Sequence, residues 1–341
     1  MTNRTPSALA LAAIILTWSA ATALAQDASV VYLEGEPELR TAGGATEWLD
    51  FGTALTPGDS VVTGRDDFVE LEQGAAATIR VDPDTVFTIR EVEENGQRRQ
   101  VMSNSTGSVG YRFKRLAGRD EPRIGTTSVV AGIRGTEVVV YAGANGSSLF
   151  LVETGQVDVT SAGRTVSLNQ DEGVEVPATG PPGEKFEWVG QELDYSTWNA
   201  EKLGEYLAEP VEGTVALIER LDEFIQGTRE YSDLYEQYQA EREQVYEAVS
   251  NMEEGEEREV LREQLLELNA QNRLLVLNYR YYSLSGLSLR RYVLGKMYVE
   301  LTTRYMLNKN DSVYQNFLVE YRRFLDAYEN GIVPRLVEAD I

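Results

Sequence analysis

The chain has 341 residues, with 55 Asp and Glu against 31 Lys and Arg, a net charge of −24 and no Cys or His. Without those two residue types there are no disulfides, no thiolate nucleophile, no Ser–His–Asp or Cys–His constellation and no His-bearing zinc site. The acidity disfavours nucleic acid and anionic lipid surfaces as partners.

The N-terminus reads as a secretory signal occupying residues 1–25. Arg4 supplies the positive start, Ser7–Leu16 the short apolar run and Ala23–Leu24–Ala25 the small-x-small cleavage site. The mature chain is expected to begin at Gln26, and removing Arg4 takes the net charge from −24 to −25. An uncleaved anchor is the alternative. No later segment reaches the roughly 20 apolar residues of a spanning helix; the longest, from Leu274, soon meets Asn278 and Arg280. Export to the periplasm or outside the cell is therefore expected.

Composition divides the rest in two. Of 29 Gly, 21 precede residue 190, whereas 15 of 18 Tyr follow it. The predicted organisation is a β-domain over 26–177, a Pro/Gly-rich linker over 178–190 and a helical domain over 191–341. The seam, Pro177–Ala178–Thr179–Gly180–Pro181–Pro182–Gly183, cannot hold helix or ladder.

The first part reads as short strands in a sandwich or roll. Val30–Leu33, Val69/Leu71, Ile79/Val81 and Phe87/Ile89 alternate apolar with polar residues. Gly43–Gly44, Asn95–Gly96 and Asn145–Gly146 read as hairpin turns. Thr56–Pro57–Gly58–Asp59 and Asp82–Pro83–Asp84 read as turns. Leu149–Val152, Val157/Val159, Val166/Leu168 and Val174/Val176 are read as separate strands divided by Gly or Asn.

The second part reads as an antiparallel helical hairpin or bundle with coiled-coil character. One stripe runs from Leu217 through Tyr231 and Tyr238 to Val249; a second runs through Leu261, Leu268, Asn272, Tyr279 and Tyr282. A turn near Asn251–Gly255 separates them, so Glu253–Glu257 reads as a solvated loop. Ser285–Gly286 is a predicted kink and Gly295 a weak point. A third helix starts at Asp311, a good N-cap, and stops at Asn330–Gly331.

The most informative stretch is Arg123–Val140. It reads as strand, tight Gly-punctuated corner and strand, carrying Gly132, Arg134, Gly135, Thr136 and Glu137. Thr127, Val129, Val130, Ala131, Gly132, Ile133, Arg134, Gly135, Thr136, Glu137 and Val138 resemble the core motif of the FecR family of bacterial periplasmic domains. Leu55, Gly58, Asp59, Val61, Thr63 and Gly64 extend the resemblance upstream; Gly155–Val159 and Glu172–Val176 extend it downstream. It covers most of residues 28–177 and implies a β-rich envelope domain built for interaction. The best-known members relay the state of an outer-membrane iron transporter across the inner membrane to a sigma factor. With the signal removed, this sequence is expected to depart from that pattern, carrying neither a cytoplasmic N-terminal segment nor a retained spanning helix.

Arg134 and Glu137 are either a partner-contact pair or charges that satisfy each other, or nearby backbone, at a corner. Tyr279, Tyr281, Tyr282, Tyr292, Tyr298, Tyr305 and Tyr314 form either a contact surface for carbohydrate or protein, or bundle core and rim. Tyr281, Tyr282 and Tyr292 are the candidate contacts. Neighbouring residues on a helix point about 100° apart, which favours exposure of one of the adjacent pair Tyr281 and Tyr282. No calcium loop, P-loop or dinucleotide fingerprint is present. With 55 acidic residues, chance carboxylate pairs are abundant, so no glycosidase pair stands out. The expectation is a non-enzymatic envelope interaction or scaffold protein without cofactor, whose partner is an envelope protein or polymer and whose helices could support homo-oligomers. The alternative is a soluble periplasmic regulator of a membrane sensor or outer-membrane transporter.

Overall fold

The computed structural model describes residues 28–74, 77–114, 123–188 and 193–338. The signal-peptide reading at 1–25 lies outside these residues. The first part of the chain is a β-domain and the second a helical region, as expected.

The strands are β1 (Ala28–Glu34), β2 (Glu38–Arg40), β3 (Thr46–Trp48), β4 (Ala54–Leu55), β5 (Ser60–Val62), β6 (Phe68–Gln73), β7 (Ala77–Val81) and β8 (Val86–Glu94). They continue as β9 (Gln97–Phe113), β10 (Arg123–Gly125), β11 (Val130–Ala142), β12 (Ser148–Ser161), β13 (Arg164–Asn169), β14 (Glu172–Val176) and β15 (Phe186–Glu187). One continuous network of pairings joins them around a single apolar core. The central strand is β9. Its first part pairs with β8 and, in parallel, with β10; its second part pairs with β7 and β11.

Local chemistry explains the turns. Asn95 and Gly96 take φ of 56° and 76°, the primed-turn geometry that joins β8 to β9. Asp59 is buried, and its carboxylate accepts from the N–H of Ala42 (2.9 Å) and of Thr56 (2.8 Å), tying two loops together.

The expectation of short strands fails at β9, β11 and β12, which run 17, 13 and 14 residues. Leu149–Val152 and Val157/Val159 belong to one strand, β12. The glycine between them marks a bulge, not a strand end. Two residues of β11, Gly135 and Thr136, oppose Gly155 of β12, so the ladder steps from Arg134↔Gln156 to Glu137↔Thr154. The core-facing set of β11 therefore switches from Ala131 and Ile133 to Val138 and Val140. The predicted corner inside the motif is this bulge. The chain reversal lies earlier, where the Thr126 N–H donates to the Val129 carbonyl (2.8 Å) between β10 and β11.

The Pro/Gly seam forms no ladder at 177–183 but is anchored to the sheet. The Gly183 N–H donates to the Glu175 carbonyl (2.9 Å) and the Ser161 hydroxyl to the Gly180 carbonyl (2.8 Å). Further along, β15 pairs with β14.

The helices are α1 (Tyr195–Ala208), α2 (Pro210–Asn251), α3 (Glu256–Ser288), α4 (Gly295–Arg304), α5 (Ser312–Gly331) and α6 (Val333–Glu338), with a π-helical turn (Leu289–Leu294) joining α3 to α4. The long pair α2–α3 is the predicted hairpin. At about 1.5 Å per residue, the 42 residues of α2 span about 63 Å. Near the tip a small cluster of Val245, Val249 and Leu268, with Tyr238, Leu261 and Leu265, draws only on these two helices. Asp311 caps α5 as expected, its carboxylate accepting from the Val313 N–H (2.9 Å).

The predicted kink at Ser285–Gly286 is absent, and α3 runs through it. A Cβ on Gly286 would lie 3.1 Å from the Ile332 side chain, so this glycine serves close packing. The irregularity falls on the following residues, where the Gly295 N–H bonds the Arg290 carbonyl across the π turn. No helix among the described residues is long and apolar enough to cross a membrane.

The helical region packs on the sheet. Along α1, Trp198 joins Tyr141, Leu149 and Leu151 on the outer face of β11–β12. Along α3, Asn278, Tyr281, Ser285 and Ser288 recur at helical spacing and meet β8. Asn278 completes the edge of β8: its Oδ1 accepts from the Glu93 N–H (2.7 Å) and its Nδ2 donates to the Glu93 carbonyl (3.2 Å). The guanidinium of Arg90, 5% exposed, donates to the hydroxyls of Ser285 and Ser288 and lies 5.9 Å from the Tyr281 ring centroid.

Candidate functional site

Where α2 and α3 stand over the sheet, a cleft of about 710 Å³ separates the two parts of the chain. Its floor is the outward face of β8–β13. Val130 and Gly132 come from β11, Asp158 and Thr160 from β12, and Arg123 from β10. Its wall is Phe224 and Tyr231 of α2 with Asn278, Tyr281 and Tyr282 of α3. The strand period of two places Val130 and Gly132 on the same face, while Ala131 and Ile133 point into the core.

The wall is aromatic and ordered by its own packing. Tyr231 and Tyr282 stack at 5.7 Å with ring planes 13° apart, and Tyr281 meets Tyr282 edge-on at 5.4 Å. Burial pushes the Tyr282 phenol up to about 12, and Tyr231 and Tyr281 are raised for the same first reason. These hydroxyls therefore stay protonated at neutral pH.

Among the described side chains two cations line the cleft, and both are engaged. Arg123 donates to both oxygens of Glu94 (2.7 and 3.0 Å). Arg220 pairs with Glu223 and donates through Nε to the Thr127 carbonyl (2.7 Å). Glu93 and Asp158 also face the cleft and meet no cation within ion-pair distance among the described side chains. Asp158 accepts from the Ser167 hydroxyl (2.6 Å), and Glu93 from Asn278 Nδ2 (3.2 Å).

The structure divides the sequence-predicted residues. Gly132 lies on the floor, where a Cβ would sit 2.5 Å from Arg123 Nη1; its missing side chain gives that guanidinium room. Gly135 and Thr136 form the bulge, and the Thr136 hydroxyl donates to the Gln156 carbonyl (2.9 Å). Glu137 points outward and accepts from Arg112 Nε (2.9 Å). The Arg134 side chain lies outside the described residues. Tyr281 and Tyr282 both line the cleft and both are half-buried, so neither is the exposed member expected. The cleft wraps around α3 far enough to receive side chains 100° apart. Tyr292 lies elsewhere, accepting from Arg40 of β2 (2.9 Å).

The remaining tyrosines are not one surface. Tyr279 donates to the Arg335 carbonyl, Tyr298 stacks on Tyr321 at 4.5 Å, and Tyr305 stacks on Tyr314 at 5.3 Å. Sequence reading marked none of Glu93, Asp158, Arg220, Tyr231 and Asn278 as site residues, and took Tyr231 only as part of the α2 stripe. The spacing 278, 281, 285 and 288 on α3 is the signal that could have marked a sheet-facing stripe. No group of acidic side chains suited to a metal occurs among the described residues.

No family model and no curated protein matches the chain. Among solved structures, two crystal structures of a candidate anti-sigma factor from Parabacteroides distasonis align with it at 14% identity and a TM-score of 0.33. The alignment covers 41% of this chain and 63% of that one. At that score the likeness assigns neither fold nor activity.

Proposed function

We propose that this chain is an exported, non-enzymatic interaction protein of the cell envelope, in which the β-domain and the helical domain together present one binding cleft. The observation that carries the reading is that cleft. A motif strand resembling FecR supplies its floor and an aromatic stripe of the helical hairpin its wall. Concave, partly apolar sites at domain boundaries with a few placed polar groups are the usual form of a binding site. The signal-like N-terminus supports export, and the FecR resemblance supports an envelope setting. A soluble regulator of a membrane sensor or outer-membrane transporter would use the same cleft with a different partner.

The test is photo-crosslinking in cells, with a benzoylphenylalanine replacing Val130 or Tyr282 in the cleft, or Leu266, which is 69% exposed on α3. The expected result is one partner trapped from both cleft positions and not from position 266. A membrane sensor or outer-membrane barrel in the adduct selects the regulator reading; an envelope scaffold component selects the first. Equal trapping from all three positions, or none, would overturn the cleft as the site.

A further inference from the structure

The lining of the cleft goes further than the presence of a site, and the following step rests on the binding reading above. Of the described charged side chains lining the cleft, Glu93, Glu94, Asp158 and Glu223 are acidic, whereas Arg123 and Arg220 are basic. Both arginines are consumed, one by Glu94 and one by Glu223. Glu94 is itself shared between Arg123 and Arg99, so among the described side chains the carboxylates that an incoming ligand meets without a cation partner are Glu93 and Asp158, beside the rings of Tyr231, Tyr281 and Tyr282. Carboxylates next to aromatic rings favour a cation twice, through charge and through the ring quadrupole. A low-dielectric wall focuses that potential, and the chain's net charge of −24 draws cations toward it.

The floor bears on the shape of the ligand. Gly132, Val130 and Thr160 are small side chains on adjacent strands, which leaves a shallow track suited to an extended chain. We infer that the cleft receives a cationic peptide segment of a partner protein, with an Arg or Lys side chain seated between the tyrosine wall and the carboxylates of Glu93 and Asp158.

The test is selection of a randomised heptapeptide library displayed on phage against the full chain at physiological salt. Three versions are used: wild type, the cleft variant Glu93→Gln/Asp158→Asn, and the arm variant Glu256→Gln/Glu257→Gln. Both variants remove two charges. Asn at 158 keeps the acceptor for Ser167, and Gln at 93 keeps one of the two acceptors that Glu93 offers to the Gly96 N–H and Asn278 Nδ2. The expected result is a consensus bearing Arg or Lys. A synthetic peptide of that consensus should bind the cleft variant about tenfold more weakly and the arm variant unchanged. Replacing its arginine by citrulline should cost a similar factor.

Equal weakening by both variants would show only general attraction to an acidic protein and overturn the assignment. A neutral or acidic consensus would overturn it, as would no consensus together with binding of a neutral oligosaccharide. A neutral consensus combined with photo-capture through positions 130 and 282 would sink the ligand class alone. Absence of both selection and capture would sink the site with it.

Discussion

Replacing Asn272 with Leu should stabilise the α2–α3 arm. Asn272 lies in the apolar stripe of α3, one turn beyond Leu268, and is 5% exposed. Its Oδ1 and Nδ2 both lack a hydrogen-bond partner. A buried polar group left unsatisfied costs about 1–3 kcal/mol. The low end of that range for each of the two groups gives a gain of about 2 kcal/mol, before any benefit from burying the leucine. That corresponds to about a thirtyfold shift in the equilibrium for local opening. The assay is amide hydrogen exchange of residues 238–275, where only local opening has to be compared. Protection should rise in the arm by about that factor and stay constant in β9 and β11. Unchanged or faster exchange would refute the reasoning and mean that ordered water already satisfies the amide.

Three further outcomes are expected. Gly155→Ala should destabilise the β-domain by at least about 2 kcal/mol, because φ there is +85° and the new Cβ would lie 2.5 Å from the Gly135 carbonyl; a urea midpoint within experimental error of wild type would remove the bulge from its structural role. Asp194 caps α1 by accepting from the hydroxyls of Ser196 and Thr197 and from the Thr197 N–H, and these bonds hold its pKa down to about 2 from 3.8. Its contribution should be in place above about pH 4 and fade as pH falls toward 2; amide exchange along α1 in wild type and Asp194→Ala, followed across that range, would show the two converging at the acid end. Glu153 is raised, first by burial and then by Glu137 beside it, with Arg80 and Arg112 offsetting part of the effect. The folded state then holds that proton more tightly than the unfolded chain, so its contribution to stability declines as pH rises above 4.5; Glu153→Gln should flatten this part of the stability curve and raise the melting temperature at neutral pH, and a parallel curve would count against the assignment.

Much of the architecture was legible because its causes are local. Asn–Gly pairs prefer the turn they make at Asn95–Gly96, and Asp311 supplies the acceptor that starts α5. The stripes of α2 and α3 bury themselves against each other near the tip, and the base of α2 against α4, α5 and the π turn. Glycine inside a strand was the point of failure. Gly155 reads identically as an end or a bulge until a partner strand shows whether the ladder resumes beyond it. Gly286 likewise reads as a kink until Ile332 is seen to pack on it.

The cleft was legible only in fragments. Gly132, Tyr281 and Tyr282 stood out by type and motif, but nothing local couples a β-strand residue to a helix residue about 150 positions later. Nor does local chemistry reveal that Glu137 pairs with Arg112, that Arg123 and Arg220 are already neutralised, or that Tyr292 turns toward Arg40. The sequence by itself determined the two domains, their fold classes, and the absence of thiol and imidazole chemistry, because composition and periodicity act residue by residue. Which side chains face one another across the cleft, and with what uncompensated charge, was decided by the tertiary structure, because electrostatic pairing depends on distances that only the packed chain sets.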